Sequence, residues 1–235
     1  MFTNEGGRTY NEDFAAFREE TDNGIYIVAD GLGGHQHGEM ASKCVGNILL
    51  EAWDCDIVND RADWLKNQIE EANQRLMALQ QEERSTMKTT LVALIINDDH
   101  AAWANVGDSR LYYLRDNKIM HMTEDHSVAY KKYRSGQITK AQIGQDEDQS
   151  CLLRSLGSHD RWEPDVYDYA ECLKPRDGFL LCSDGLWEYL HDEEILIDYL
   201  KAETARDWAE LLLLRVIARI QPNSDNLSLL TVMVK

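Results

Sequence analysis

Apolar side chains recur with a helical period in four segments of the chain. Residues 38–53 and 62–82 place an apolar residue on one face about every 3.6 positions, which predicts two long helices early in the chain. The same spacing returns at residues 192–200 and 204–220. We therefore expect four helices, each burying one face against the rest of the fold.

Short runs of β-branched, apolar and aromatic residues outside these helices predict strands. They cover residues 24–29, 89–96, 101–106, 110–114, 164–170, 178–182 and 227–234. The connections between residues 89 and 114 are too short for crossover helices, so we expect an antiparallel meander there. The whole pattern predicts an α+β fold of two packed, mainly antiparallel sheets flanked by helices, in a single domain of residues 1–235.

A polar segment at about residues 123–150 interrupts this pattern. It contains Gly136 and Gly144, and we expect it to form a long excursion that carries small helices. Loops of this size in compact domains often cover functional sites, so the segment is interpreted as a lid.

Charge and composition exclude several classes of protein. The net charge of -18, from 42 acidic and 24 basic residues, would repel a nucleic-acid backbone. Because no apolar run approaches membrane-spanning length and the first residues lack a signal-peptide pattern, we expect a cytoplasmic protein without a membrane segment. A monomer is expected as well. Five widely spaced cysteines without a C-x-x-C pair indicate reduced thiols rather than a zinc site or disulfides.

Four aspartates stand where apolar runs end abruptly: Asp30, Asp108, Asp184 and Asp225. A strand that runs into Asp-Gly delivers a carboxylate to the edge of a sheet, where glycine lets the backbone turn. Taken singly, each aspartate is explained equally well as an ordinary turn residue. Together with acidic residues near the N-terminus they predict an oxygen-ligand site for magnesium or manganese.

Five motifs occur in an order that is typical of one family. They are Arg8-x-x-Asn11-Glu12-Asp13, Asp30-Gly31-Leu32-Gly33-Gly34-His35, Gly107-Asp108-Ser109-Arg110, Ser183-Asp184-Gly185-Leu186-Trp187 and Asp225-Asn226. On these motifs the chain resembles the metal-dependent protein phosphatases (PPM, type 2C), and its size and Asp-Gly-Leu-Gly-Gly form resemble the bacterial branch. Each motif alone is weak, but their order over residues 8 to 226 makes chance agreement improbable.

The resemblance implies a four-layer αββα sandwich with a binuclear metal site at one end of the sheets. Asp30 would bridge two divalent cations, manganese or magnesium. Glu12 and the carbonyl of Gly31 would complete the protein ligands of one cation, while Asp184 and Asp225 would hold the other.

Three further roles follow from the same resemblance. Asp108 would bind a third cation, shared with Asp184. Asp13 would orient a metal-bound water from behind the ligands, as carboxylate sites require. Arg8 would clamp the substrate phosphate, because a guanidinium pairs with phosphate oxygens through two parallel hydrogen bonds, although it could also be an ordinary surface arginine.

The implied reaction is hydrolysis of phosphoserine and phosphothreonine by direct attack of a water that bridges the two cations, without a phosphoenzyme. The expected partners are phosphorylated proteins, made by a cognate bacterial serine/threonine kinase. A non-catalytic regulatory module and a phosphatase of small phosphoesters remain alternatives.

One position departs from the family pattern. Many eukaryotic members carry a histidine two residues after the bridging aspartate, proposed as the acid for the leaving group, whereas this chain has Leu32. Leucine cannot donate a proton. Metal-bound water, His35 or His126 are therefore the candidates, and His126 is better interpreted as structural, at the start of the lid. Arg110 is likewise expected to be a structural ion-pair partner.

Overall fold

Two antiparallel sheets lie face to face in the computed structural model, which describes residues 1–21, 23–33, 37–54 and 60–235. The first sheet contains, in spatial order, β1 (Phe2–Asn4), β11 (Leu227–Met233), β10 (Gly178–Cys182), β7 (Arg110–Arg115) and β8 (Lys118–Met122). The second contains β2 (Asp13–Glu20), β3 (Asn23–Leu32), β5 (Leu91–Asn97), β6 (His100–Val106) and β9 (Asp165–Asp168), with the short β4 (Lys88–Thr89) beside β3.

Helices cover the outer faces of both sheets. The helices are α1 (His37–Ala52), α2 (Arg61–Glu83), α3 (Val128–Arg134), α4 (Asp184–Trp187), α5 (Asp192–Lys201) and α6 (Ala205–Ile217), with a 3-10 helix at Lys140–Gln145. The helices α1 and α2 pack on the second sheet, and α5 and α6 pack on the first. The expected α+β sandwich with four layers, αββα, is confirmed.

Strand alternation explains why each sheet is buried on both sides. In β3, Ile25 and Ile27 face the core under α1 and α2, while Tyr26 and Val28 face the core between the sheets. A period of two residues sends successive side chains to opposite faces, so a strand covered on both faces reads as a continuous apolar run. The third core lies between the first sheet and the late helices.

The meander expected at residues 89–114 is correct for its first two strands and wrong for the third. The strands β5 and β6 pair as a hairpin, but β7 pairs with β8 and β10 in the other sheet. The chain changes sheets at Gly107, whose φ of +97° belongs to a region that favours glycine. Asp108 follows directly and therefore lies at the end of the sandwich.

The structure also adds three strands that the pattern did not predict, β1, β2 and β8. The predicted helices of the polar segment are present as α3 and the 3-10 helix, whereas α6 ends at Ile217 rather than at residue 220. Across the described ranges, no helix combines the length and the apolar character that a membrane span requires.

Candidate metal centre and active site

A cavity of about 480 Å³ at one end of the sandwich collects most of the predicted site residues. The predicted residues that line it are Arg8, Glu12, Asp30, Gly31, Asp108, Asp184 and Asp225. They converge because several strand termini meet at one edge of the two sheets. These are the C-terminal ends of β3, β6 and β10 and the N-terminal end of β11. Of the eight residues predicted for the site, Asp13 alone is absent from the cavity lining.

Asp30 is fixed by the two threonines that precede β5. Its backbone N–H donates to Thr90 Oγ1 at 2.9 Å, and its carbonyl accepts from Thr89 Oγ1 at 2.8 Å and from the N–H of Thr90 at 2.9 Å. These bonds satisfy the main chain of Asp30 and leave its carboxylate facing the cavity. The side chain is therefore presented by a rigid strand end.

Glu12 and Gly31 lie together at the start of α1. The carbonyl of Glu12 accepts from Ser42 Oγ at 2.6 Å and from the N–H of Gly31 at 3.1 Å, and Glu12 Oε1 accepts from the N–H of Gly38 at 3.3 Å. A Cβ on Gly31 would lie 2.1 Å from the carbonyl oxygen of Gly38. Only glycine permits this approach, which keeps the Gly31 backbone beside the carboxylates.

Asn226 joins the N-terminal segment to the start of β11, a role that the motif alone did not reveal. Its side chain accepts from the N–H of Glu12 at 2.8 Å and donates to the carbonyls of Glu5 and Tyr10, both at 2.9 Å. These three bonds hold Glu12 next to Asp225, although the two residues are far apart in sequence. The signal was present in the Asp-Asn motif, but a side-chain amide is equally common in turns.

Asp108 is held from the side of the first sheet. Trp187 Nε1 donates to its carbonyl at 2.9 Å, and the Trp187 ring stacks on the guanidinium of Arg110 at 3.5 Å. Arg110 also donates through Nε and Nη2 to Asp125, at 2.7 and 2.6 Å. Arg110 is thus the structural ion-pair partner that the sequence predicted.

Asp13 lies behind the cavity, opposite Asp30 in the register of β2 and β3. Its Oδ2 accepts from Ser183 Oγ at 2.7 Å, whereas its buried Oδ1 has no hydrogen-bond partner among the residues that the structure describes. Burial raises the pKa of Asp13 to about 7, against the lowering effect of hydrogen bonds from Ser183 and Ser228. A buried acceptor without a partner is uncommon, and a bound water or ion would satisfy it.

Burial and neighbouring negative charge raise the pKa of Asp30, Asp108 and Asp184 in the cavity. The pKa of Asp184 rises to about 6, first through burial and then through Asp225. The pKa of Asp30 and that of Asp108 lie well above the usual range, first through burial and then through the charge of Asp184. Carboxylates arranged this way cannot all be charged at neutral pH unless a cation compensates them.

The model of the protein phosphatase 2C family matches residues 5–211. The chain belongs to that family. The serine/threonine phosphatase Stp of Listeria welshimeri is 36% identical over 203 residues, which cover 83% of this chain and 79% of the relative. The protein phosphatase PhpP of Streptococcus pneumoniae is 33% identical over 193 residues, 80% of this chain and 78% of the relative.

Solved structures of similar proteins share the fold. The serine/threonine phosphatase of S. agalactiae aligns with a TM-score of 0.85 at 28% identity, covering 99% of this chain and 98% of that one. The catalytic domain of the phosphatase PstP, solved with two manganese ions, aligns with a TM-score of 0.83 at 26% identity, covering 100% and 96%. The expected bacterial phosphatase family and its dependence on divalent metal ions are thereby confirmed.

The donor atoms at the cavity fit the cations of the protein phosphatase 2C family. Carboxylate and carbonyl oxygens supply the predicted ligands, and no histidine or cysteine lines the cavity within the described part of the chain. Oxygen shells of this kind suit magnesium and manganese. The mutual increase in carboxyl pKa and the partnerless Asp13 Oδ1 point the same way.

The two histidines considered as proton donors have different outcomes. His35 lies outside the described residues. His126 Nδ1 accepts from the N–H of Gly107 at 3.2 Å, and its Nε2 lies 3.1 Å from Asp165 Oδ2 and 3.2 Å from Arg154 Nη1, so both ring nitrogens are engaged by the protein. Burial lowers the pKa of His126, and the ring does not line the cavity. These contacts indicate a structural role for His126 rather than a role as proton donor.

Arg8 lines the cavity but is already engaged. Its Nε and Nη2 donate to the two carboxylate oxygens of Asp225 at 3.1 and 2.8 Å. The pair is open to solvent, with side chains 56% and 39% exposed. Arg8 therefore holds the carboxylate of Asp225, while its Nη1 donors lie outside this pair.

Two residues near Asp184 were missed by sequence reasoning. Glu188 lies one helical turn after Asp184, directly beyond the last residue of α4. Burial raises the pKa of Glu188 to about 8, and the negative charges of Asp184 and Asp225 add to this increase. This spacing was the signal that could have found it. Gln149, at the end of the polar segment, donates to Asp184 Oδ2 at 3.2 Å, and no local pattern marks it.

Proposed function

We propose that this chain removes phosphate from phosphoserine and phosphothreonine in proteins by direct attack of water on phosphorus, without a phosphoenzyme. Its class, a serine/threonine protein phosphatase, follows from its family and from relatives that carry this name. The observation that carries the mechanism is the convergence of Glu12, Asp30, Asp108, Asp184 and Asp225 on one cavity.

In this proposal the cavity holds two cations, manganese or magnesium. Asp30 would be a ligand of both, Glu12 and the Gly31 carbonyl would hold one, and Asp184 and Asp225 would hold the other. When bound, such cations lower the pKa of water and offset the negative charge that develops on the leaving oxygen. Asp108 would serve a third cation together with Asp184, and the raised pKa of both groups supports that sharing.

Asp13 acts from behind these ligands. Its Oδ2 is held by Ser183, and its free Oδ1 can accept a hydrogen bond from the attacking water or from a water that orients it. The role is that of a positioning residue, because Asp13 does not line the cavity.

Arg8 would receive the phosphate through N–H donors outside its pair with Asp225. Leu32 lines the cavity where many eukaryotic members have a histidine, and a leucine side chain has no proton to give. Leu32 thus leaves cavity water, or His35, to protonate the leaving serine or threonine oxygen.

The segment at residues 123–150 is proposed to select the substrate as a lid. Gln149 connects it to Asp184, and Ser150 and Leu152 line the cavity. Substrates would be proteins phosphorylated by a bacterial serine/threonine kinase, and we expect the enzyme to act as a cytoplasmic monomer.

An assay with para-nitrophenyl phosphate and a phosphothreonine peptide tests this proposal. With manganese, the wild type should hydrolyse both, and Asp184→Asn should lower kcat/KM by more than about 100-fold, since even residues behind metal ligands contribute about 10- to 100-fold. Asp116→Asn, an exposed aspartate in the turn after β7, is the matched control and should retain full activity.

Three outcomes would contradict the proposal or its parts. Turnover of neither substrate with manganese or magnesium would support the non-catalytic module. Activity that survives chelation would exclude the metal mechanism. Hydrolysis of small phosphoesters without the peptide would favour a small-molecule phosphatase.

A further inference from the structure

Three side chains of different chemistry meet at the end of the sandwich away from the cavity. Asp99, His100 and Cys172 place a carboxylate oxygen, a ring nitrogen and a sulfur within 4.8 Å of one another. His100 Nδ1 lies 2.6 Å from Asp99 Oδ1. The pKa of Asp99 lies below its ordinary value, first through hydrogen bonding with Cys172.

The main chain holds these three side chains in place. Asp99 is in the tight turn between β5 and β6, and the N–H of the preceding Asp98 donates to Asn23 Oδ1 at 2.6 Å. The carbonyl of Asp99 accepts from the N–H of Leu173 at 2.5 Å. The β5–β6 turn and the segment that contains Cys172 are therefore joined by a main-chain hydrogen bond. With the backbone fixed, the distances between the three ligand atoms depend on side-chain rotation.

The carbonyl of Cys172 is anchored separately. It accepts from Arg115 Nη2 at 2.8 Å, and Arg115 is itself fixed by the buried Asp177. Rigid support of this kind is what a metal site needs, because ligands that are already in place lose little conformational freedom on binding.

The ligand set differs in kind from that of the active site. Sulfur, imidazole nitrogen and one carboxylate suit zinc and similar borderline cations, whereas the all-oxygen cavity suits magnesium and manganese. Bonds of about 2.0–2.3 Å in a tetrahedron separate ligand atoms by roughly 3.3–3.8 Å, so a side-chain rotation would have to open the His100 Nδ1–Asp99 Oδ1 distance from 2.6 Å on binding. Asp98, Asp99 and Glu19 line an adjoining cavity of about 770 Å³, where their charge attracts cations.

We propose that Asp99, His100 and Cys172 form a second metal site, separate from the active site, that binds a zinc-like divalent cation with water in the fourth position. On binding, the Cys172 thiol releases its proton to solvent and the thiolate becomes a ligand. The ion would tie the β5–β6 turn to the segment that precedes β10. Cysteine spacing did not indicate this site, because its ligands come from separate parts of the sequence.

Cobalt is the probe, since a thiolate ligand to cobalt gives a near-ultraviolet charge-transfer band that oxygen ligands do not give. The manganese-loaded wild type should develop this band on cobalt titration, and Cys172→Ser should abolish it. His100→Gln should weaken cobalt binding at least about 10-fold. The control is Cys151→Ser, which removes another exposed thiol, beside the active-site cavity, and should leave the band unchanged.

The absence of a band in the wild type, or its persistence in Cys172→Ser, would overturn the proposal. A second measurement needs no variant: zinc should protect Cys172, but not Cys151, from alkylation, as read by peptide mass spectrometry. Equal alkylation of Cys172 with and without zinc would also contradict the site. Neither readout depends on phosphatase activity.

Discussion

The two ends of the sandwich differ in how they accommodate buried carboxyl groups. Away from the cavity, Asp177 accepts from Arg115 Nε at 2.8 Å, and the two side chains are only 2% and 4% exposed. At the cavity, no lysine or arginine among the described residues forms an ion pair with Asp30, Asp108 or Asp184. The first arrangement is neutral as it stands, whereas the second accumulates negative charge.

This difference separates structural carboxylates from functional ones. A buried carboxylate beside an arginine contributes to the native fold, and removal of one partner leaves the other charge uncompensated. A carboxylate beside other carboxylates is stable only when protonated or when a cation binds. The raised pKa of Asp184, Asp30 and Asp108 expresses this requirement, and the protein phosphatase 2C family meets it with divalent metal ions.

The largest change in stability is expected for Asp177→Asn. This substitution leaves Arg115 buried beside a neutral amide and should lower the free energy of unfolding by about 3–5 kcal/mol. Urea denaturation of the metal-free protein measures it. The kcat per folded molecule should stay within about twofold of wild type, because Asp177 lies at the opposite end from the cavity.

Asp184→Asn provides the contrast in the same experiment. It removes a carboxylate that is costly to charge, so the metal-free protein should gain about 1–3 kcal/mol at neutral pH. If both substitutions lowered stability by similar amounts, the distinction between the two ends would be wrong.

A pH dependence of intermediate size should follow from the raised pKa values. Unfolded aspartate titrates near about 3.9, whereas Asp184 and Asp13 titrate at about 6 and about 7 in the native protein. The native state binds these protons more tightly, so the groups stabilise the metal-free protein below about pH 4. This stabilisation is lost as the pH rises through about 6 to 7.

Manganese should therefore raise the melting temperature more at about pH 7.5 than at about pH 5.5. Protons compete with the metal at the lower pH, and uncompensated charge weakens the metal-free protein at the higher one. Thermal unfolding with and without manganese measures the difference, at roughly 2–4 °C per kcal/mol for a chain of this size. An equal gain at both pH values, or an equal pH dependence in Asp184→Asn, would argue against coupled carboxylates.

Much of the fold could be predicted because its central elements have strong periodic patterns. The strands β3, β5 and β10 are covered on both faces and appear as apolar runs, and α1 and α2 keep a helical stripe. The missed strands lie where this signal is weak. The second half of β2 is exposed and charged, and β8 is an edge strand with exposed positions, so neither shows a clean alternation.

The site was predictable only as far as individual ligands leave a mark in the sequence. Asp30 and Asp184 stand at strand ends and follow the family motifs, so their convergence on one cavity was foreseen. The hydrogen bonds of Asn226 and the contact of Gln149 with Asp184 join residues that are far apart in sequence. Such contacts depend on tertiary packing, which a local pattern does not encode. The roles of the ligands stay predictions.

The smallest change in stability is expected for Arg8→Ala, because the Arg8–Asp225 pair is exposed where Arg115–Asp177 is buried. Exposed pairs contribute about 0–1 kcal/mol, so the urea midpoint should hardly move.

The same substitution should weaken phosphate binding more strongly. The KM for the phosphopeptide should rise roughly 10-fold or more, since hydrogen bonds to charged groups contribute about 1.5–3 kcal/mol. Arg8→Lys keeps the positive charge but loses the paired N–H donors of the guanidinium, so its KM should lie between those of the wild type and Arg8→Ala. An unchanged KM in Arg8→Ala would remove Arg8 from substrate binding, and a loss of several kcal/mol would show that its pair with Asp225 is structural.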